Sequence, residues 1–264
     1  MSPLQALVLG LVQGVTEWLP VSSEAVLTLV MTQLFGKGAV SSVNAAIWLH
    51  TGTMLAALVY FRQEFLKVGM HFLRKREESF DGSENAVIGK FLIASTFVTG
   101  LIGGTIYLLG LEKVAAYPRV FSGLMAAALF VTGLLRMYSS EDIRDLADVG
   151  LEDSVLVGFL QGFSILPGVS RSGITSFGFL LRDYDAQDAF RLSFLMSVPA
   201  VFAANVGLNL FSDFAVGPSM FLASAVAFLV GYLTIESVLK LADRTEIAYV
   251  CFALGLLALI PVVI

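Results

Sequence analysis

Long apolar runs broken by short polar segments dominate the chain, and they predict helices that cross a lipid bilayer. About 20 mostly apolar residues are enough for one crossing. Six stretches reach that length: 43–61, 86–109, 119–135, 189–211, 219–241 and 246–264. The runs are continuous rather than alternating, which argues against transmembrane strands. The first residues lack a basic region and apolar segments continue beyond them, so a cleaved signal peptide is not expected. Two further apolar regions behave differently. Residues 4–35 are interrupted at Leu19-Pro20-Val21-Ser22-Ser23-Glu24, and residues 154–181 at Leu166-Pro167-Gly168-Val169-Ser170-Arg171-Ser172-Gly173. Proline removes a backbone donor and breaks the helical ladder. Each second arm is then too short to span. Both regions therefore read as re-entrant helical hairpins, whose irregular backbone must be covered by protein or line a water-filled cavity.

The hairpins resemble each other. Gly10-Leu11-Val12-Gln13-Gly14 is matched by Gly158-Phe159-Leu160-Gln161-Gly162, Leu19-Pro20 by Leu166-Pro167, and Val21-Ser22 by Val169-Ser170. Three spans follow each hairpin. A re-entrant hairpin returns to the side it entered from and three spans then change sides, so the second hairpin enters from the opposite face. The expected fold is an all-α polytopic membrane protein: a single membrane domain over 1–264, with six transmembrane helices and two re-entrant helical hairpins in inverted repeats of approximately 1–140 and 150–264. Inverted repeats whose broken helices meet near the midplane place a binding site at the breaks. Twelve basic residues fall on one side (Arg62, Lys67, Arg74, Lys75, Arg76, Lys90, Arg136, Arg144, Arg182, Arg191, Lys240, Arg244) and three on the other (Lys37, Lys113, Arg119). The basic side is cytoplasmic, so both termini and the first hairpin are expected outside the cell membrane. The largest polar loop, 62–85, reads as a solvated cytoplasmic anchor, with contact to anionic lipid as the alternative.

Composition agrees. Hydrophobic residues make up 57% and charged residues 14% of 264, against about 25% charged in soluble domains. This excludes an ordinary water-soluble enzyme and a disordered chain. A net charge of −5 with no basic domain gives no reason to expect a nucleic-acid partner. The single cysteine, Cys251, excludes an intramolecular disulfide and a cysteine-based metal site.

With loop charges set aside, the ionisable groups at depth are Glu17, Glu24, His50 and Arg171, and each is a functional candidate because it is costly there. Arg171 is either an anion clamp, its planar donors suiting phosphate oxygens, or half of a buried ion pair with Glu17 or Glu24 that locks the hairpins. Ser22 and Ser170 either cap the short arms or contact the anion that their N-termini attract. Glu17 lies four residues after Gln13 on one helix face. Opposite a phosphate it would bridge to a divalent cation such as Mg²⁺, act as a general base, or pair with Arg171. His50 is a packing residue or a catalyst. Trp18 and Trp48 fit the outer aromatic belt or the hairpin rim.

The segments Gln13-Gly14-Val15-Thr16-Glu17-Trp18-Leu19-Pro20-Val21-Ser22-Ser23 and Pro167-Gly168-Val169-Ser170-Arg171-Ser172-Gly173 resemble the two motifs of the undecaprenyl-diphosphate phosphatase family, membrane phosphatases linked to bacitracin resistance. His50-Thr51-Gly52-Thr53-Met54-Leu55-Ala56 and Phe194-Leu195-Met196-Ser197-Val198-Pro199 resemble the family more weakly. The resemblance implies hydrolysis of undecaprenyl or a related polyprenyl diphosphate to the monophosphate and inorganic phosphate, which recycles the lipid carrier of cell-envelope synthesis. It also implies a divalent cation, Mg²⁺ or Ca²⁺. It matches Gln13 and Glu17 to the family's paired acidic or amide positions, which would hold the cation, Ser23 to a serine nucleophile, and Arg171 to the phosphate-binding arginine. Glu17, Ser23, Arg171 and Glu24 are thus the expected catalytic set, with Gln13, Ser22, Ser170, Ser172, Gly173 and His50 around the substrate. The expected partners are the polyprenyl diphosphate and the bilayer, and a homo-oligomer is left open. The chain departs from the family at Ser22-Ser23-Glu24-Ala25-Val26, where the family usually reads Ser-Ser-Thr-Gly-His, so Val26 stands where a histidine is usual. Glu24 or His50 takes over that role, or hydrolysis is lost. The rival reading is a transporter or flippase for a lipid phosphate. A purely structural membrane protein does not explain Glu17 and Arg171 at paired breaks.

Overall fold

The computed structural model describes residues 1–74, 84–108, 123, 126–127, 129–130, 133–134, 144, 146–166, 168–211, 214–243 and 246–259. Ten α-helices account for most of them: α1 (Pro3–Thr16), α2 (Ser23–Leu29), α3 (Ala39–Tyr60), α4 (Arg62–Arg74), α5 (Glu84–Leu108), α6 (Leu151–Gly162), α7 (Arg171–Leu181), α8 (Ala186–Phe211), α9 (Pro218–Asp243) and α10 (Ile247–Ala258). Among the described residues, four helices are long and apolar enough to cross a membrane: Val40–Tyr60, Ala86–Ile106, Ala186–Leu210 and Pro218–Ala242. They match four of the expected spans to within a few residues. Their outer faces carry large apolar side chains at helical spacing, such as Ile93, Phe97 and Leu101 on α5 and Leu229 and Leu233 on α9, as lipid contact requires. Most of the expected span 119–135 lies outside the described residues, as do Lys75, Arg76 and Pro167. The expected span 246–264 is described to residue 259 and is helical over α10. The polar segment 62–85 is not simply a loop: its first half is α4, which directs Phe65 and Val68 to the core and leaves Leu66 and Lys67 exposed. Glu64 on α4 pairs with Arg191 on α8 at 3.1 Å.

Both interrupted regions form helix–break–helix units. In the first, Ser2 caps α1 in a capping box with Gln5, and Pro3 starts the helix, where a missing N–H costs nothing. After the break at residues 17–22, α2 continues into a π-turn, Val30–Leu34. In the second, α6 passes through a short 3₁₀ turn, Phe163–Ile165. Gly168 then turns the chain at φ +91°, a conformation that favours glycine, and α7 begins at Arg171.

Each first arm is covered by a helix from the other half of the chain. A Cβ on Gly14 of α1 would meet Val230 Cβ of α9 at 2.6 Å, and one on Gly10 would collide with the Ala223 carbonyl. A Cβ on Gly158 of α6 would meet the Ser95 carbonyl of α5 at 2.7 Å, and one on Gly162 would meet Ile102 Cβ at 2.5 Å. Threonines reinforce both contacts: Thr234 Oγ1 donates to the Gly14 carbonyl at 2.8 Å, and Thr99 Oγ1 to the Gly158 carbonyl at 3.0 Å. Small residues of this kind let helix backbones approach closely where lipid offers no hydrophobic driving force. The positions met by the second glycine pair, Ser95 and Ile102, each lie 128 residues before those met by the first, Ala223 and Val230. α3 fills the middle, Gly52 lying against the Ser224 carbonyl of α9. Trp18 is fully buried at the first break. Its indole donates to the Gly231 carbonyl at 3.0 Å and packs 4.8 Å from the Phe194 ring. Of the two positions expected for Trp18, the outer belt is thus corrected, and the residue lies buried beside the break.

A polar clasp ties the start of α6 to the end of α7. The fully buried Asp153 carboxylate accepts from Arg144 Nη1 and Nη2 (3.0 and 3.2 Å), Arg182 Nε (2.8 Å), Tyr184 Oη (3.1 Å) and the Gly150 N–H (2.8 Å). Burial opposes ionisation, but the hydrogen bonds from the two guanidinium groups outweigh it and hold the carboxyl below its ordinary value. Arg144 and Arg182 are thus parts of this clasp as well as loop charges.

Candidate active site

The two breaks meet. Ser172 Oγ donates to the Leu19 carbonyl at 2.8 Å, and Ser170 Oγ lies 3.5 Å from the same oxygen. Ser22 caps α2 by accepting from the Ala25 N–H, and Ser170 caps α7 by accepting from the Gly173 N–H at 3.2 Å. These serines therefore both cap and line the site. Between the breaks lies a small, partly open cavity lined by Glu17, Ser22, Ser23, Glu24, His50, Ser164, Val169, Ser170, Arg171 and Ser172.

Glu17 organises it. Its Oε1 pairs with Arg171 Nη2 at 2.5 Å. Its Oε2 accepts from Ser23 Oγ at 2.8 Å and Gln13 Nε2 at 2.9 Å, and lies 3.1 Å from His50 Nε2. The two side chains of the ion pair are 12% and 3% exposed, so the pair is withdrawn from solvent and joins the two helix–break–helix units. The locking role considered for Arg171 is realised, but it does not use up the guanidinium. A second contact, Nη1 to the Ser193 carbonyl at 3.1 Å, leaves three of the five N–H donors for an incoming anion. Ser193 Oγ is itself held by Thr175 Oγ1 at 2.6 Å.

His50 sits on α3, far from the motifs in sequence, yet its Nε2 is 3.2 Å from Ser23 Oγ. Its Nδ1 lies 2.6 Å from the Ala46 carbonyl, which can only accept a proton, so Nδ1 carries one. Ser23 therefore sits between a carboxylate and an imidazole. Sequence reasoning did not identify Ser164, the Ser193 and Ala46 carbonyls or Thr53 as parts of this arrangement. Carbonyl contacts leave no trace in residue type. Ser164 had a signal, a polar residue just before the second break.

Gln13 and Gly173 are placed differently from the cavity residues. Gln13 is fully buried and does not line the cavity; its amide N–H groups face Glu17 and Thr53, while Oε1 has no partner. A carboxylate that already accepts from several donors, beside an amide that turns its nitrogen towards it, does not form a cradle for a cation. The Gln13–Glu17 pair as arranged does not fit one, and no group of three or more His, Cys, Asp or Glu side chains suited to a metal occurs among the described residues. Gly173 packs behind the site: a Cβ there would come within 3.1 Å of Pro20 Cβ.

A helical, multi-pass membrane protein with a buried guanidinium and a serine between carboxylate and imidazole, at the meeting point of two broken helices, has the build of a membrane-embedded site for an anionic headgroup. The chain belongs to the family described as bacitracin resistance protein BacA, whose pattern it matches over residues 6–259. It is similar to proteins named undecaprenyl-diphosphatase along nearly the full length of both partners. The one from Methanococcoides burtonii is 38% identical over 97% of each chain. That of Methanothrix thermoacetophila is 36% identical over 98% of this chain and 96% of its own, and that of Haloarcula marismortui 38% over 96% and 94%.

Proposed function

We propose that this protein hydrolyses undecaprenyl diphosphate, or a related polyprenyl diphosphate, to the monophosphate and inorganic phosphate, and so recycles the lipid carrier for cell-envelope synthesis. The observation that carries the reading is Ser23, held by Glu17 and His50 on the wall of a cavity that also contains Arg171. The relatives' names point the same way. The diphosphate head enters between the hairpins while the prenyl tail stays in lipid. Arg171 turns its remaining donors to the terminal phosphate, and the N-terminus of α7 adds positive dipole. Phosphoryl transfer asks mainly for positioning and charge stabilisation, and these groups are fixed before substrate arrives. Ser23 attacks the terminal phosphorus, or orients a water that does.

The six-span topology, the inverted repeats and the outward-facing termini belong to the same proposal. Their support is the twelve-to-three distribution of basic residues and the matching glycine contacts of α1 and α6 across the two halves. A divalent cation accompanying the diphosphate would meet Glu24, a cavity carboxylate, rather than the Gln13–Glu17 pair; there it would offset phosphate charge.

The test is phosphate release from undecaprenyl diphosphate by purified protein in detergent, with and without chelator. Release that vanishes in Arg171→Ala supports the enzyme. Absence of release from the unaltered protein would sink it in favour of a lipid-phosphate carrier. Cysteine labelling near residue 75 tests orientation, which fails if those positions react from outside.

A further inference from the structure

We infer that His50 is the general base that activates Ser23, a catalytic role supplied from α3 rather than from the motif that carries the nucleophile. The inference rests on the phosphatase reading. A serine hydroxyl is a weak nucleophile without an adjacent base. Two acceptors flank Ser23 Oγ, Glu17 Oε2 at 2.8 Å and His50 Nε2 at 3.2 Å. Glu17 also accepts from Arg171 and Gln13, which hold its charge in place. The imidazole is arranged differently. Its Nδ1–H is spent on the Ala46 carbonyl at 2.6 Å, which fixes the ring and leaves Nε2 bare in the neutral tautomer. Nε2 then faces the hydroxyl, with Glu17 Oε2 at 3.1 Å to receive the N–H that forms.

In the first step the Ser23 hydroxyl, whose one proton rests on Glu17 Oε2, rotates to point it at His50 Nε2 and gives it up there; the Oγ–P bond forms and the bridging P–O bond breaks. The polyprenyl monophosphate leaves with that electron pair. The place at Glu17 Oε2 that the hydroxyl proton has left is taken by the imidazolium N–H, 3.1 Å away. His50 then gives its proton to the departing monophosphate. In the second step His50 accepts a proton from water, which attacks the phosphoserine, and returns it to Ser23 Oγ as phosphate leaves.

Val26 lies one turn after Ser23 on α2, at the position where the related motif usually carries histidine, so an imidazole there would approach the same hydroxyl from its own helix. The experiment compares wild type, His50→Ala, His50→Gln and Val26→His/His50→Ala in detergent, reading phosphate release and the thermal midpoint. His50→Ala is expected to lower kcat by about 10²–10⁴-fold with KM little changed. Added imidazole, or histidine at position 26, is expected to restore part of kcat, and imidazole is expected to do nothing for Ser23→Ala. Wild-type rates in His50→Ala and His50→Gln overturn the base while leaving the phosphatase intact. Loss that neither imidazole nor Val26→His repairs, at an unchanged thermal midpoint, assigns His50 to packing and also overturns it. A wild-type protein that releases no phosphate fails the phosphatase reading itself, and the base with it.

Discussion

Replacing Arg171 separates the two roles the structure gives it. In Arg171→Ala the buried Glu17 carboxylate loses its cationic partner but keeps the Gln13, Ser23 and His50 contacts. Removing one member of a desolvated pair costs about 3–5 kcal/mol, and both side chains here are nearly closed to solvent. The neutral contacts that remain return part of this, so the loss of folding stability should fall at the lower end of that range. The effect on rate is distinct, because the substrate would lose the three N–H donors left after the Glu17 and Ser193 contacts. Loss of a preorganised donor group costs about 10²–10³ in rate, so kcat/KM should drop by at least that much. Arg171→Lys keeps the charge and loses the planar donor set, and should fall between Ala and wild type. The decisive comparison is Arg171→Ala/Glu17→Gln. Neutralising Glu17 removes the uncompensated charge, so the thermal midpoint should recover most of its loss while activity stays low. If activity recovers together with stability, Arg171 is a structural lock and the clamp assignment is wrong.

The other predictions concern packing, the clasp and Glu24. Gly14→Val or Gly162→Val places methyl groups into the α9 or α5 backbone; each should destabilise by about 1–3 kcal/mol or more, seen as a lower thermal midpoint in detergent, and an unchanged midpoint would contradict the close helix contact. Asp153 has a folded-state value below its unfolded one, so its contribution is complete above the unfolded carboxylate range near about 3.9 and fades as pH falls through the lower folded value; Asp153→Asn should lower the midpoint at neutral pH and narrow its gap to wild type in acid, and a gap independent of pH refutes the assignment. Glu24→Gln should weaken any response of phosphate release to added divalent cation while leaving the fold intact, and an unaltered response removes Glu24 from cation binding.

The two breaks were legible because proline and clustered polar residues interrupt the apolar runs, and the structure begins α2 and α7 at Ser23 and Arg171, beside those breaks. Glu17 and Arg171 were legible because charge at depth needs a reason, and Ser23 because the first motif resembles that of a known family; the structure brings the three together. The position of His50 relative to Ser23 was not, since it depends on the rotation of α3 against α2, and an apolar run nearly uniform around its helix carries no facing information. The sealed position of Gln13 was hidden for the same reason. The Asp153 clasp was hidden because its members looked like ordinary loop charges. α4 was missed because a charge-rich segment next to a span reads as loop unless its apolar positions are counted at helical spacing.

The crossed packing of α1 on α9 and α6 on α5 makes each half of the chain depend on the other. A fragment ending near residue 140 would keep α1 but lose the helix that covers its glycine face, and a fragment starting near 150 would leave α6 equally bare. Separated at that point, each half would show lipid a glycine face shaped for a helix it no longer has.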